Sequence, residues 1–219
     1  MNDTLAYIAK KFELDLTRRC PIDILKINRK IMAQTLCELG LTEGAEIGVA
    51  KGEHAALLMD NNPSLHLYAI DPWDAYPGYV DYTQDKLDSF YGNVRRYLTR
   101  YKNCTIVRKK SMEAVLDFED NQLDFVYIDG AHDFKSVAED ICDWSRKVRV
   151  GGIVFGHDYY MRTDKPTNII HVKQVVQAYM YSHNISPWFV LGMQGNFSDG
   201  EYHEHGRSWM FVRQESDRL

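Results

Sequence analysis

Apolar residues along the chain follow two alternating rhythms. Short, nearly continuous apolar runs occur at Ala45–Val49, Leu65–Ile70, Cys104–Val107, Leu123–Ile128 and Ile153–Phe155. Runs of this kind, buried on both sides, read as strands of a parallel sheet. Between them lie segments whose apolar positions recur every three or four residues, the period of a helix with one buried face. Leu87, Phe90 or Tyr91, Val94, Leu98 and Tyr101 form one such face, and Val137, Ile141, Trp144 and Val148 another. Further helices are expected over Glu53–Met59, broken by Asn61-Asn62-Pro63, over Met112–Leu116 and over Ile169–Tyr181. Asp133 is placed to cap the helix that follows it. Two last runs, Trp188–Leu191 and Ser208–Arg213, bracket a polar loop and predict a hairpin, which makes the final strand antiparallel.

These seven runs and their helices predict an α/β fold: a Rossmann-like, doubly wound, mostly parallel seven-stranded sheet covered on both faces. The first forty residues read as helical. Ile24, Ile27 and Ile31 make one stripe, Met32, Leu36 and Leu39 widen it, and Gly40 ends it. The division expected is a helical N-terminal extension over 1–42 and one domain over 43–219.

Composition narrows the function. The 219 residues carry a net charge of −5, which argues against nucleic acid or an anionic membrane as the main partner. Cys20, Cys37, Cys104 and Cys142 are scattered with no C-x-x-C pair, so they read as reduced, core-filling thiols. The N-terminus lacks the pattern of a signal peptide and no apolar run reaches membrane-spanning length, which points to a cytoplasmic protein. The N-terminal helices fit two roles equally, a cap over the cleft or a homodimer contact.

The candidate chemistry gathers at strand ends. In sheets of this kind ligands bind outside the carboxyl ends of the strands. Glu46, Asp71, Asp129, His157 and Asp158 all stand at or just past predicted strand ends. Glu46-Ile47-Gly48-Val49-Ala50-Lys51-Gly52 reads as a strand end, a glycine turn and a helix start, where exposed N–H groups favour a polar ligand. Asp71, one strand later, can accept two hydrogen bonds from a ribose diol. Trp73 and, after the third strand, Ser111 and Met112 are placed to border an adenine. Pro72 to Tyr82 is rich in aromatics (Trp73, Tyr76, Tyr79, Tyr82) and suits a lid. Together these imply a cleft for an adenosine-containing cofactor. A nicotinamide dinucleotide is the rival, but its G-x-G-x-x-G fingerprint is not matched here.

With those residues in place, the chain resembles a class I S-adenosylmethionine-dependent methyltransferase. Glu46-x-Gly48-x-x-x-Gly52 is similar to that superfamily's cofactor loop, and Asp71 falls where its members hold the ribose. Tyr127-Ile128-Asp129-Gly130-Ala131-His132-Asp133-Phe134 and Gly151-Gly152-Ile153-Val154-Phe155-Gly156-His157-Asp158-Tyr159 resemble two segments of a bacterial small-molecule subfamily. The resemblance spans residues 43 to 213 and implies S-adenosylmethionine as cofactor, with Glu46, Gly48, Lys51, Gly52, Asp71, Trp73, Ser111, Met112 and Asp129 around it. A second similarity is to metal-dependent catechol-type and caffeoyl-type O-methyltransferases. Those enzymes carry an Asp at the end of strand four, a Lys three residues on, and an Asp-Asn pair at the end of strand five. The matching positions here hold Asp129, His132 and His157-Asp158.

Methyl transfer is an in-line displacement at a sulfonium carbon, so the protein must align two reactants and exclude water. A hydroxyl acceptor must also lose a proton, to a base or under the influence of Mg²⁺ or another divalent metal. His132 is the candidate base, with His157 as its alternate, and Asp129, His157 and Asp158 are the candidate metal ligands. The reading is O-methylation of a small-molecule hydroxyl of sugar or natural-product type. Methylation at nitrogen or carbon, a dinucleotide enzyme on a related sheet, and a binding protein without turnover remain the alternatives. His203 and His205, in the last loop, read as solvated, and His54 as structural or solvent-facing.

Overall fold

A computed structural model describes residues 2–76, 82–164, 169–193 and 206–219. The chain opens with α1 (Asp3–Lys11), β1 (Ile22–Ile24), α2 (Arg29–Glu38), β2 (Glu43–Ile47), α3 (Glu53–Asn61) and β3 (His66–Ile70). It continues through α4 (Gln84–Leu98), β4 (Cys104–Val107), α5 (Ser111–Ala114, extended by a 3-10 turn at Val115–Asp117), β5 (Leu123–Ile128) and α6 (Phe134–Lys147). It closes with β6 (Val148–Gly156), α7 (Val172–Ser182), β7 (Trp188–Leu191) and β8 (Ser208–Val212).

Among the described residues the strands form one sheet of eight, in the order β1-β7-β8-β6-β5-β2-β3-β4. All neighbouring pairs are parallel except β6–β8 and β7–β8, so the closing strand runs against its neighbours as expected. The pleat divides each strand between two cores. In β5, Phe125 and Tyr127 face the layer of α1, α2, α3 and α4, while Val126 and Ile128 face that of α5, α6 and α7. That is why the run reads as continuously apolar. Ile141 and Trp144 of α6 are wholly buried, as the helical period requires. Asp133 caps α6 by accepting from the Lys135 and Ser136 N–H groups.

The N-terminal segment departs from the all-helical expectation. Ile24 lies not in a helix but in β1, whose Ile22 and Ile24 are buried and which pairs in parallel with β7 to add the eighth strand. The stripe from Ile24 to Ile31 is broken at Asn28, whose side chain accepts from Ile31 N–H and starts α2 there. Two of the four cysteines, Cys37 and Cys142, are exposed rather than core-filling, because each lies on the outer side of its helix. No helix among the described residues is long and apolar enough to cross a membrane.

Register fixes the functional edge. Ile47 pairs with both Ile70 and Ile128, Ile70 with Val107, and Ile128 with Gly156. The next residue along each of these strands is Gly48, Asp71, Arg108, Asp129 and His157, so those five stand in one row above the sheet.

Candidate active site

The loop after β2 is tied to both neighbouring strand ends. Gly48 has φ +90°, and a Cβ there would stand 2.1 Å from the carbonyl oxygen of Asp129. Only glycine permits that approach. Gly48 N–H donates to Ile70 O at 2.9 Å and Asp129 N–H to Ile47 O at 2.8 Å, which locks the loop between β3 and β5. Gly52, also at positive φ, opens α3. The Asp71 carboxylate accepts from Ala50 N–H at 2.9 Å and from Trp73 N–H at 2.6 Å. Burial raises the Asp71 pKa and the backbone N–H groups offset part of that rise. Ala50, Trp73 and Asp158 all have positive φ without being glycine. Such conformations cost about 1 kcal/mol or more each and persist where the surroundings dictate them.

Trp73 is placed differently from the expectation that it borders an adenine. Its side chain is wholly buried, donates from Nε1 to Ala50 O at 2.9 Å and packs on Tyr91. It holds the loop from beneath. Lys51 is exposed, with its ammonium over the Phe90 ring of α4. Ser111 opens α5, and its hydroxyl is engaged with Asp140 and Trp144. Met112 is half-buried beside them. Of the proposed lid, residues 77–81 (Tyr79 included) lie outside the described residues, as do His203 and His205; Tyr76 is exposed.

Past the ends of β5 and β6, five side chains form a continuous polar chain. Tyr127 Oη donates to Asp129 Oδ2 at 3.2 Å. His132 Nε2 stands 3.5 Å from Asp129 Oδ1 and 3.2 Å from Asp158 Oδ2. His157 Nδ1 lies 3.0 Å from Asp158 Oδ1. Burial alone would push the Asp129 carboxyl up, but His132 and then His157 overturn this and hold it well below the usual carboxylate range. Burial would pull His132 down, yet Asp129 and Asp158 outweigh it and raise the imidazole pKa.

One imidazole nitrogen and two carboxylate oxygens thus converge on a single point. Ligating atoms of Asp129, His132 and Asp158 all lie within 4.8 Å of one another. An octahedral cation bound at about 2.1 Å sets adjacent ligand atoms about 3 Å apart, close to the spacings seen here. The donor set therefore fits a divalent ion, and its nitrogen suits Mn²⁺ or Zn²⁺ better than Mg²⁺. The grouping differs from the expected Asp129–His157–Asp158 set. His157 is buried behind Asp158 and braces it, whereas His132 comes round from the β5–α6 turn to complete the trio.

Two further residues take part: His54, which the sequence reads as structural or solvent-facing, and Arg29, which it does not single out. His54, on the first turn of α3, is buried with Nδ1 3.4 Å from Glu46 Oε1, and its ring stacks at 4.0 Å on Tyr127. Burial raises the Glu46 pKa, which His54 opposes. Arg29, at the start of α2, lines a narrow open cleft together with His54, Tyr127, Phe155, Gly192 and Ser208. A positive charge in the first turn of a helix is unfavourable for that helix, and this was the available signal for a role of Arg29 elsewhere.

The strand order from β4 to β7, the glycine loop and the acidic strand ends define a class I methyltransferase fold with its cofactor edge. Residues 45–159, more than half of the chain, match the model of a family described as a methyltransferase domain, and the chain belongs to that family. That domain is a class I S-adenosylmethionine-dependent methyltransferase domain. An O-methyltransferase from Bacillus cereus in complex with SAH aligns over 97% of this chain and 92% of its own, with 14% identity and a TM-score of 0.58. TomG, the Streptomyces achromogenes O-methyltransferase involved in tomaymycin synthesis, in complex with SAM, aligns over 97% and 91% with 14% identity and a TM-score of 0.56. CurJ, a carbon methyltransferase, aligns over 85% and 54% with 10% identity and a TM-score of 0.60. At such identities the likeness is one of fold, which serves oxygen and carbon acceptors alike. Uncharacterized protein y4gI of Sinorhizobium fredii is 28% identical over 98 residues, 43% of this chain, and the match spans 10% of that protein's length.

Proposed function

We propose that the protein methylates a hydroxyl group of a small molecule, with a divalent cation held by Asp129, His132 and Asp158. The observation that carries this reading is the convergence of those three ligating atoms beside the glycine loop. In this reading the loop from Gly48 to Gly52 and the Asp71 carboxylate hold the adenosine part of S-adenosylmethionine. The cleft under Arg29 and Tyr127 receives the acceptor. A cation in the trio would lower the pKa of an acceptor hydroxyl and hold the oxygen in line with the methyl carbon. Tyr127 and His157 orient the two carboxylates from behind. A cation would displace the proton that His132 holds between Asp129 and Asp158, so its binding weakens as pH falls. Cytoplasmic location and a domain over 43–219 with an N-terminal extension belong to the same reading.

The test is methyl transfer from radiolabelled S-adenosylmethionine to a panel of catechol, sugar and amine acceptors, with Mn²⁺ or EDTA. Label on a hydroxyl that EDTA abolishes is expected, and Asp158→Asn should lose Mn²⁺ binding seen by electron paramagnetic resonance. Transfer to nitrogen or carbon at an EDTA-insensitive rate would refute the proposal.

A further inference from the structure

The net charge of −5 hides a strong local imbalance. Residues 95–110 hold seven lysines and arginines and no acid, which leaves the rest of the chain at −12. They run from the last turn of α4 through β4, the outermost strand of the sheet, to the turn before α5. All seven cations are exposed. Arg100 pairs with Asp60, Arg108 with Asp74 and Asp88, and Lys109 with Asp117. Arg95, Arg96, Lys102 and Lys110 pair with no carboxylate among the described residues. Tyrosines are interleaved with them. The Arg100 guanidinium lies 4.0 Å from the ring centre of Tyr97 and 4.7 Å from that of Tyr101, and Arg108 lies 4.4 Å from that of Tyr91.

Local structure accounts for part of this. Cations suit a helix C-terminus, and lysines beside an edge strand deter sheet-to-sheet pairing. Neither calls for seven cations without an acid, nor for aromatic rings beside them. What the face lacks narrows its occupant. Of residues 95–110, Tyr97 is the one exposed large apolar side chain. A protein interface has an apolar centre, and a lasting membrane contact takes apolar side chains as well as charge. A flexible strand of phosphates and bases needs cations and aromatic rings.

We propose that residues 95–110 form a binding face for single-stranded nucleic acid, with Arg95, Arg96, Lys102 and Lys110 on phosphates and Tyr97 as a platform for a base. Arg108 stands in the row with Asp71 and Asp129, so this face runs up to the functional edge. It is a second surface, separate from the small-molecule reading of the cleft.

The test is fluorescence anisotropy of the whole protein with a labelled oligouridylate of about 16 nucleotides, in salt from about 50 to 200 mM. Four phosphate contacts on a single strand give a log–log salt slope of about −3, a loss of about 50-fold over that range. The variant R95Q/R96Q/K102Q/K110Q loses no ion pair, so its Tm should stay that of wild type while the slope falls towards zero. Tyr97→Ala should weaken binding about 10-fold with the slope unchanged. Wild type that does not bind the oligonucleotide at about 50 mM salt overturns the inference, as does a slope unchanged in the quadruple variant. Displacement of the oligonucleotide by polyglutamate at equal charge concentration overturns it in favour of an acidic protein, and capture by phosphatidylserine vesicles without oligonucleotide binding in favour of a membrane. S-adenosylmethionine binding, measured on the same samples, should be equal in wild type and the quadruple variant, which keeps this result apart from the cofactor reading.

Discussion

Gly48→Ala tests the geometry of the cleft at its tightest point. The new Cβ would stand 2.1 Å from Asp129 O, at a backbone φ of +90°. Carbon and carbonyl oxygen normally approach to about 3.3 Å, so one of the two strand ends must move by about 1 Å. The movement is resisted by the bonds from Gly48 to Ile70 and from Asp129 to Ile47. Strain at the positive φ costs about 1–3 kcal/mol and a weakened backbone hydrogen bond about 1 more. For a chain of this size, a loss of about 2–4 kcal/mol lowers Tm by roughly 5–15 °C. A displacement of about 1 Å at the reacting groups slows transfer roughly 100-fold. Differential scanning calorimetry gives the first quantity, and single-turnover methyl transfer the second. A G48A variant with wild-type Tm and wild-type turnover would refute the argument that this glycine sets the contact between the loop and Asp129.

Two further predictions follow from the core and from the charges. Trp144→Ala removes a wholly buried indole and the donor to Ser111; it should cost about 3–5 kcal/mol, read as a shift in urea midpoint at constant slope. In EDTA, the Tm difference between wild type and His132→Gln should depend on pH. His132, raised in the fold, contributes stability that is full below its ordinary pKa of about 6.5 and lost as pH rises through the raised value. Asp129, depressed in the fold, contributes above its ordinary value of about 4 and loses this as pH falls through the depressed one. The difference should therefore be largest between about pH 4.5 and 6.5 and shrink in alkali; a gap constant from pH 5 to pH 10 would contradict the pairing.

The sheet was legible in the sequence because its inner strands are buried on both faces. Phe125, Val126, Tyr127 and Ile128 need no register to read as a core strand. β1 was not legible. Its three residues carry two isoleucines that also fit a helical stripe, and only pairing with β7 decides between them. Asp71, Asp129 and Asp158 were placed at strand ends by motif order. The roles of His132 and His157 were not separable, because sequence does not tell which way a side chain turns beyond a strand. Asp158, at positive φ, is met from behind by the buried His157 and from the β5–α6 turn by His132. His54 read as structural or solvent-facing and Arg29 was not singled out, because each faces the site from a helix that packs there only in the folded chain.

The measurement closest to the central claim is calorimetric titration of the folded protein with S-adenosylmethionine, with NAD as control, in wild type and Asp71→Ala. The account predicts saturable binding of S-adenosylmethionine alone, weakened about 100-fold when the carboxylate that accepts from Ala50 and Trp73 is removed. Binding of NAD instead, or S-adenosylmethionine affinity unchanged in D71A, would contradict it.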